Sequence, residues 1–157
     1  MKKQFYPPQN DFVCRHCGNW VSVNPLFSGV RNRNHCPYCL WSRHVDWYAA
    51  GDRMSACKGG MVPVGLTFKR ERKRYRSAVQ GELMLVHRCT ECGAVSINRL
   101  AADDDAQRLI EVFEFSLQLD AQTQQTITLM GVELLNEEHQ WYLARFSRKG
   151  EILEEMF

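Results

Sequence analysis

Long apolar runs are missing from this 157-residue chain. No stretch approaches the roughly 18 apolar residues a membrane span needs, and Lys2 and Lys3 are followed by no apolar segment of signal-peptide length. The expectation is a cytoplasmic protein with no membrane partner. A nucleophile elbow and a glycine-rich phosphate loop are also lacking, which removes the commonest hydrolase and nucleotide-hydrolysing designs. No strand-helix-strand unit surrounds the Cys89-x2-Cys92 pair, so thioredoxin-like redox chemistry there, which Arg88 could assist, has no scaffold. Acid is scarce in the first hundred residues, with 6 Asp+Glu against 16 Lys+Arg; residues 101–157 reverse this, with 12 against 4. A basic segment joined to an acidic one points to an anionic partner, the alternative being two solvated faces that partly neutralise each other. Hydrophobic content of 45%, aromatics at 11% and charge at 24% exclude wholesale disorder.

What is present is cysteine, seven in all. An odd number in a reducing compartment argues against a disulfide framework and for metal ligation. Cys14-Arg15-His16-Cys17 and Cys36-Pro37-Tyr38-Cys39 are two Cys-x2-Cys pairs with the spacing of a zinc ribbon. Each knuckle aims two thiolates at one ion, two knuckles complete a tetrahedron, and Gly18 permits the tight turn. Four thiolates leave no open coordination position, so this first ion is structural.

Cys57, Cys89 and Cys92 remain for a second zinc. Cys89-Thr90-Glu91-Cys92-Gly93 is a third knuckle, and Cys57 adds a ligand beside Gly59 and Gly60. His87, two residues before Cys89 and on the same face of an expected strand, is the first choice for fourth ligand. His44 is the second choice and His35 the third. A site with three ligands only would keep a position for water and revive catalysis. The bland reading makes Cys57 a buried apolar residue and the 89–92 knuckle a simple turn.

The expected class is α+β: a small β-rich, zinc-ribbon-like module with two metal sites, followed by a helical C-terminal region. Residues 1–12 read as a mobile arm around Pro7-Pro8, residues 13–105 as the module, and residues 106–157 as the acidic, mainly helical part. Leu83, Leu85, His87 and Cys89 alternate with Met84, Val86 and Arg88 as a strand, which Gly81 would begin. Asp103-Asp104-Asp105 supplies a helix cap and first-turn acids; Leu109, Ile110, Phe113 and Leu117 follow at helical spacing, although Phe113, Phe115, Leu117 and Leu119 also alternate. Two further short helices fit the segment from about Gln122 to Arg148. Cys14 to Asn24 is echoed by Cys89 to Asn98, which raises a duplication as one explanation.

The run beginning Arg33-Asn34-His35-Cys36-Pro37 closely resembles the bacterial RNHCP domain family, named after those five letters. The likeness extends from Phe12 to Asp105 through Gly51-Asp52-Arg53, Cys57 with Met61 and Pro63, Leu85 to Gly93, and Asn98 to Asp104. It implies a zinc-ribbon-like module without implying an activity, and it leaves out the residues after about 106.

Lys69, Arg70, Arg72, Lys73, Arg74 and Arg76 set six cations around Glu71 and Tyr75, between an apolar stretch ending at Phe68 and the strand from Glu82. A hairpin tip so charged would contact phosphates, while Tyr75 or Phe68 stacks on an unpaired base. Arg15, Arg31, Arg33, Arg43, Arg53, Arg88 and Arg99 surround the knuckles. Arg33, Arg53 and Arg99 suit equally the role of internal struts to Asp46, Asp52, Asp103 or Asp104. The leading function is a non-catalytic zinc module contacting RNA, ribosomal RNA or a translation-related particle being the natural target, since no recognition helix for a DNA groove is evident. The alternative is a protein-interaction adaptor docking a partner through the acidic region.

Overall fold

The computed structural model describes residues 11–30, 33–44, 57–69 and 81–144. Two sheets and a set of helices form in chain order. Strands β1 (Phe12–Val13) and β2 (Trp20–Val21) pair as a small ribbon around the first knuckle. The expected arm lies outside the described residues except at its end, where Phe12 pairs with Val21. A single turn, α1 (Pro25–Ser28), follows; Asn24 caps it by accepting from the Leu26 N–H, and Pro25 occupies the first position, where no N–H is needed.

The main sheet is antiparallel, in the order β3 (Ser42–Arg43), β4 (Gly60–Phe68), β5 (Leu83–Cys89), β6 (Val95–Arg99). The alternation read from Leu83 to Cys89 is the β5 observed. Register shifts between Pro63 and Gly65, so the proline, which has no N–H for the ladder, sits beside a bulge. The β4 and β5 strands run from Met61↔Cys89 to Phe68↔Leu83, and the Lys69 N–H donates to the Glu82 carbonyl at 2.8 Å beyond them. Gly81 lies before β5 rather than beginning it. A Cβ there would stand 1.9 Å from the Lys69 carbonyl oxygen, so only glycine fits this closure.

Both sheet faces are covered. Leu66, Leu83 and Leu85 pack with Leu109 and Phe113 of α2 (Ala106–Leu117), and with Leu135, Leu143 and Leu40. Val64 and Val86 pack with Ile127 of α3 (Ala121–Leu129). The helical reading of 103–117 holds, with one change. Asp105 alone caps α2, accepting from the Arg108 N–H at 3.0 Å; Asp103 and Asp104 precede the helix, whose first turn carries no acid. Asp120 caps α3, and Glu137–His139 forms a 3-10 turn that continues as helix to 144. The Leu135 N–H donates to the Leu66 carbonyl and the Thr67 hydroxyl to the Glu133 carbonyl, so the segment before that turn seals the edge of β4. Among the described residues no helix is long and apolar enough to cross a membrane.

Candidate metal centres

Three knuckles share one hydrogen-bonding pattern. The N–H of each leading cysteine donates to the carbonyl five residues on: Cys14 to Asn19, Cys36 to Trp41 and Cys89 to Ala94, at 2.8–2.9 Å. The carbonyl of that cysteine accepts from the residue four on: Gly18, Leu40 and Gly93, at 2.9–3.0 Å. This closure forces the fifth residue to positive φ, which glycine adopts freely at Gly18 (78°) and Gly93 (76°). Leu40 adopts it as well, at 65°. For a residue with a side chain that costs about 1–2 kcal/mol, offset by about 1.5–3 kcal/mol from burying leucine. Leu40 is fully buried among Leu66, Leu85 and Phe113, so it anchors the second knuckle in the main core. The echo between residues 14–24 and 89–98 follows from this turn. Beyond it the two asparagines diverge, since Asn24 caps α1 whereas Asn98 reaches His87.

The first and second knuckles meet with Cys14 Sγ 3.6 Å from Cys39 Sγ and Cys17 Sγ 3.6 Å from Cys36 Sγ. All four ligand atoms lie within 4.8 Å of one another. The second group is His44, Cys57, Cys89 and Cys92, also within 4.8 Å. There Cys57 Sγ stands 3.6 Å from Cys89 Sγ and Cys92 Sγ 3.4 Å from His44 Nδ1. A disulfide would need about 2.05 Å, and all seven cysteines are free. Zinc with ~2.3 Å bonds to sulfur at tetrahedral angles spaces two sulfurs about 3.8 Å apart, and a ~2.05 Å bond to nitrogen brings a mixed edge to about 3.6 Å. Spacing and donor chemistry therefore fit two zinc sites, the first held by four thiolates and the second by three thiolates and an imidazole.

Thiol acidities fit the same assignment. Burial raises Cys17, but the Asn19 backbone and side chain and the thiols of Cys36 and Cys14 outweigh it and bring it to about 7. Burial pushes Cys36 to about 11 and carries Cys39 above the ordinary thiol range. In the second group burial raises Cys89, yet the Cys92 and Glu91 backbone and the thiols of Cys57 and Cys92 pull it to about 6. Cys17 and Cys89 are thus readiest to ionise, beside Cys36 and Cys39 in one cluster and Cys57 in the other, which are shifted up, an arrangement in which a divalent cation displaces protons.

His87, the first choice for the fourth ligand, is elsewhere. β5 turns its ring into the core, where Nε2–H donates to the Leu40 carbonyl at 2.6 Å and Nδ1 accepts from Asn98 Nδ2 at 2.8 Å. Burial, then the neighbouring His35, lowers its pKa to about 3 against the pull of Leu40, so the ring is neutral with both nitrogens engaged. The ligand position goes to His44 instead. It stands just past β3, where its N–H donates to the Gly59 carbonyl at 2.8 Å and brings it beside Cys57.

The Arg33-Asn34-His35-Cys36-Pro37 motif is internal framework. Arg33 is buried and forks onto Asp103, Nη1–Oδ2 at 2.7 Å and Nη2–Oδ1 at 2.6 Å, while its Nε donates to the His35 carbonyl. His35 Nε2 lies 2.8–2.9 Å from both Asp104 carboxylate oxygens, and Asp104 also accepts from the Ala101 N–H. The Asp105 N–H reaches the Pro37 carbonyl at 3.0 Å. The motif thus ties the second knuckle to the start of α2. Arg99 is not a strut to these aspartates; it pairs with Glu82 on the surface at 3.0 Å. Arg53, Asp46 and Asp52 lie outside the described residues.

Of the basic run, Lys69 is described, at the end of β4, and 70–76 lie outside the described residues. Phe68 is not free to stack on a base. Its ring packs edge-on against Tyr142 at 5.3 Å and His139 at 5.8 Å. Between the two metal groups lies a cleft of about 860 Å³, lined by residues of the first knuckle, of Trp41–Arg43 and of Cys57–Gly60. Within it His16 and Trp41 stack, ring centroids 4.0 Å apart and planes 8° apart. Only a long-range pairing creates that stack; its one local trace is that His16 lies inside the first knuckle and Trp41 just after the second.

Knuckles that gather two ligand sets against a short antiparallel sheet define a zinc-ribbon-like metal-binding module. The chain belongs to the RNHCP domain family, whose model matches residues 9–110. No curated protein and no solved structure matches it.

Proposed function

We propose that this protein is a non-catalytic, zinc-organised module that contacts RNA through the connection between β4 and β5. Two ligand sets of four close both metals to substrate. Asp103 and Asp104 are engaged by Arg33 and His35 and Asp105 by the α2 cap, so no carboxylate of that trio is left for acid-base work. The observation that carries the reading is that six cations fall between Lys69 and Arg76, on a connection held at its base by the Lys69–Glu82 hydrogen bond. The chain leaves the sheet after Phe68 and re-enters it at Leu83, and phosphate contact by cations on that connection releases counterions. Irregular RNA in a bacterial cytoplasm, ribosomal RNA included, suits a module whose described residues offer no groove-reading helix.

The test is the salt dependence of RNA affinity. Replacing Lys69, Arg70, Arg72, Lys73, Arg74 and Arg76 by alanine should lower the slope of log K against log salt by up to about 4, at roughly 0.7 per phosphate contact, with zinc content unchanged. An unchanged slope would favour the adaptor reading, for which Phe115, Leu129 and Met130 are exposed on or beside the C-terminal helices.

A further inference from the structure

The cleft between the metal groups has the lining of a nucleotide site. Arg15, Arg43 and Lys58 bring three cations into it, and among the described residues none of the three makes an ion pair with a carboxylate. The Arg43 Nε donates to the Lys58 carbonyl at 3.2 Å, which fixes the guanidinium and leaves its outer N–H groups free of that bond. Arg15 lines the same cleft as Arg43, so two guanidinium groups face one space. Such a pair attracts one phosphate, held bidentately by either fork.

Beside these cations stands the stacked pair His16 and Trp41, with His16 exposed. An aromatic platform next to a phosphate fork is the recognition chemistry of a single unpaired nucleotide, because every base has a face to stack and each nucleotide one phosphate. Glu91, the carboxylate in the lining, suits the N–H donors of a base edge and argues against a polyphosphate. The walls belong to the parts the metals stiffen. Arg15 and His16 lie inside the first knuckle, Glu91 inside the third, and Lys58 follows the ligand Cys57. A cleft of about 860 Å³ is ample for one nucleotide and its neighbouring phosphates.

We propose that this cleft holds one unpaired nucleotide of an RNA strand, its base stacked on His16 and Trp41 and its phosphate on Arg15 and Arg43. The proposal rests on the RNA reading above and adds to it a preference for single strands. The experiment is fluorescence anisotropy of the full chain with a labelled eight-nucleotide single-stranded RNA and with the same sequence as a duplex. Zinc content and Tm are followed for every variant. His16→Ala changes an exposed side chain and no metal ligand; Trp41→Leu removes the stack, and Trp41→Phe keeps a ring. His16→Ala and Trp41→Leu should each weaken single-strand binding about tenfold while Trp41→Phe stays within about threefold, the worth of one base–aromatic contact. Arg15→Ala with Arg43→Ala should weaken it further, with duplex affinity little changed.

Single-strand binding that survives all of these variants but falls in the Lys69–Arg76 variant would overturn the cleft and leave the RNA reading standing. Equal loss on single strand and duplex would also overturn it, since charge alone would then explain the effect. An intact protein that binds neither strand form would remove both readings together.

Discussion

Exchanging the two competing histidines separates metal ligation from core packing. In His87→Ala the buried Leu40 carbonyl and the Asn98 side chain each lose a partner. A buried polar group left alone costs about 1–3 kcal/mol, and the space left by the imidazole adds to it. A loss of roughly 3–5 kcal/mol is expected, which for a chain of this length lowers Tm by on the order of 10 °C. Zinc should remain at two ions per chain. His44→Ala should do the opposite, since His44 is only partly buried and its Nδ1 faces Cys92 Sγ at 3.4 Å. Its second zinc should pass to a colorimetric chelator at a concentration at least tenfold lower than in the intact protein, while the first stays bound. If His87→Ala releases a zinc and His44→Ala keeps both, the assignment of the second centre is refuted.

Arg33→Lys keeps the buried charge but loses the fork onto Asp103, and should cost about 2–4 kcal/mol of stability. Its RNA salt slope should match that of the intact protein; a reduced slope would make Arg33 a phosphate contact rather than a strut. His87 also shapes the acid limb of stability. Its folded pKa of about 3 lies below the ordinary 6.5, so its contribution is complete above pH 6.5 and is lost as pH falls from there towards 3. Stability should drop by up to about 1.4 kcal/mol per pH unit more steeply than in His87→Gln, whose amide meets the same partners uncharged. Denaturant titrations at pH 6 and 5 with equal slopes for the two proteins would contradict this.

The parts legible in the sequence are those fixed over a few residues. A Cys-x2-Cys pair closes on itself, so the knuckles at Cys14, Cys36 and Cys89 follow from spacing alone. The alternation from Leu83 to Cys89 and the cap at Asp105 are equally local. The fourth ligand of the second centre was not legible, because it depends on pairing across distant residues. Sharing a strand face with Cys89 spoke for His87, yet that places the two side chains about 6.6 Å apart along the strand. The second knuckle, carried onto the sheet by the β3–β4 pairing, fills the space beside His87 with the Leu40 carbonyl. His44 gains its place from the β3–β4 pairing, which two residues of strand do not announce. In the same way Arg33 and His35 carry charge that looks suited to a ligand, and only the contact with Asp103 and Asp104, some seventy residues on, shows them to be framework. The stack of His16 on Trp41 leaves no signal in the sequence beyond the place of each residue at a knuckle.

The dependence of this fold on its metals is tested most directly by following the amide NMR spectrum while both zinc ions are withdrawn with a chelator under reducing conditions. The thiols of each cluster then repel or reprotonate, and the strands β1, β2 and β3 lose the ligands that hold them. The spectrum should lose the dispersed resonances of residues 12–30, 33–44 and 57–68, and regain them when two equivalents of zinc are added. A metal-free protein whose dispersed spectrum and Tm match those of the zinc-bound form would contradict the account.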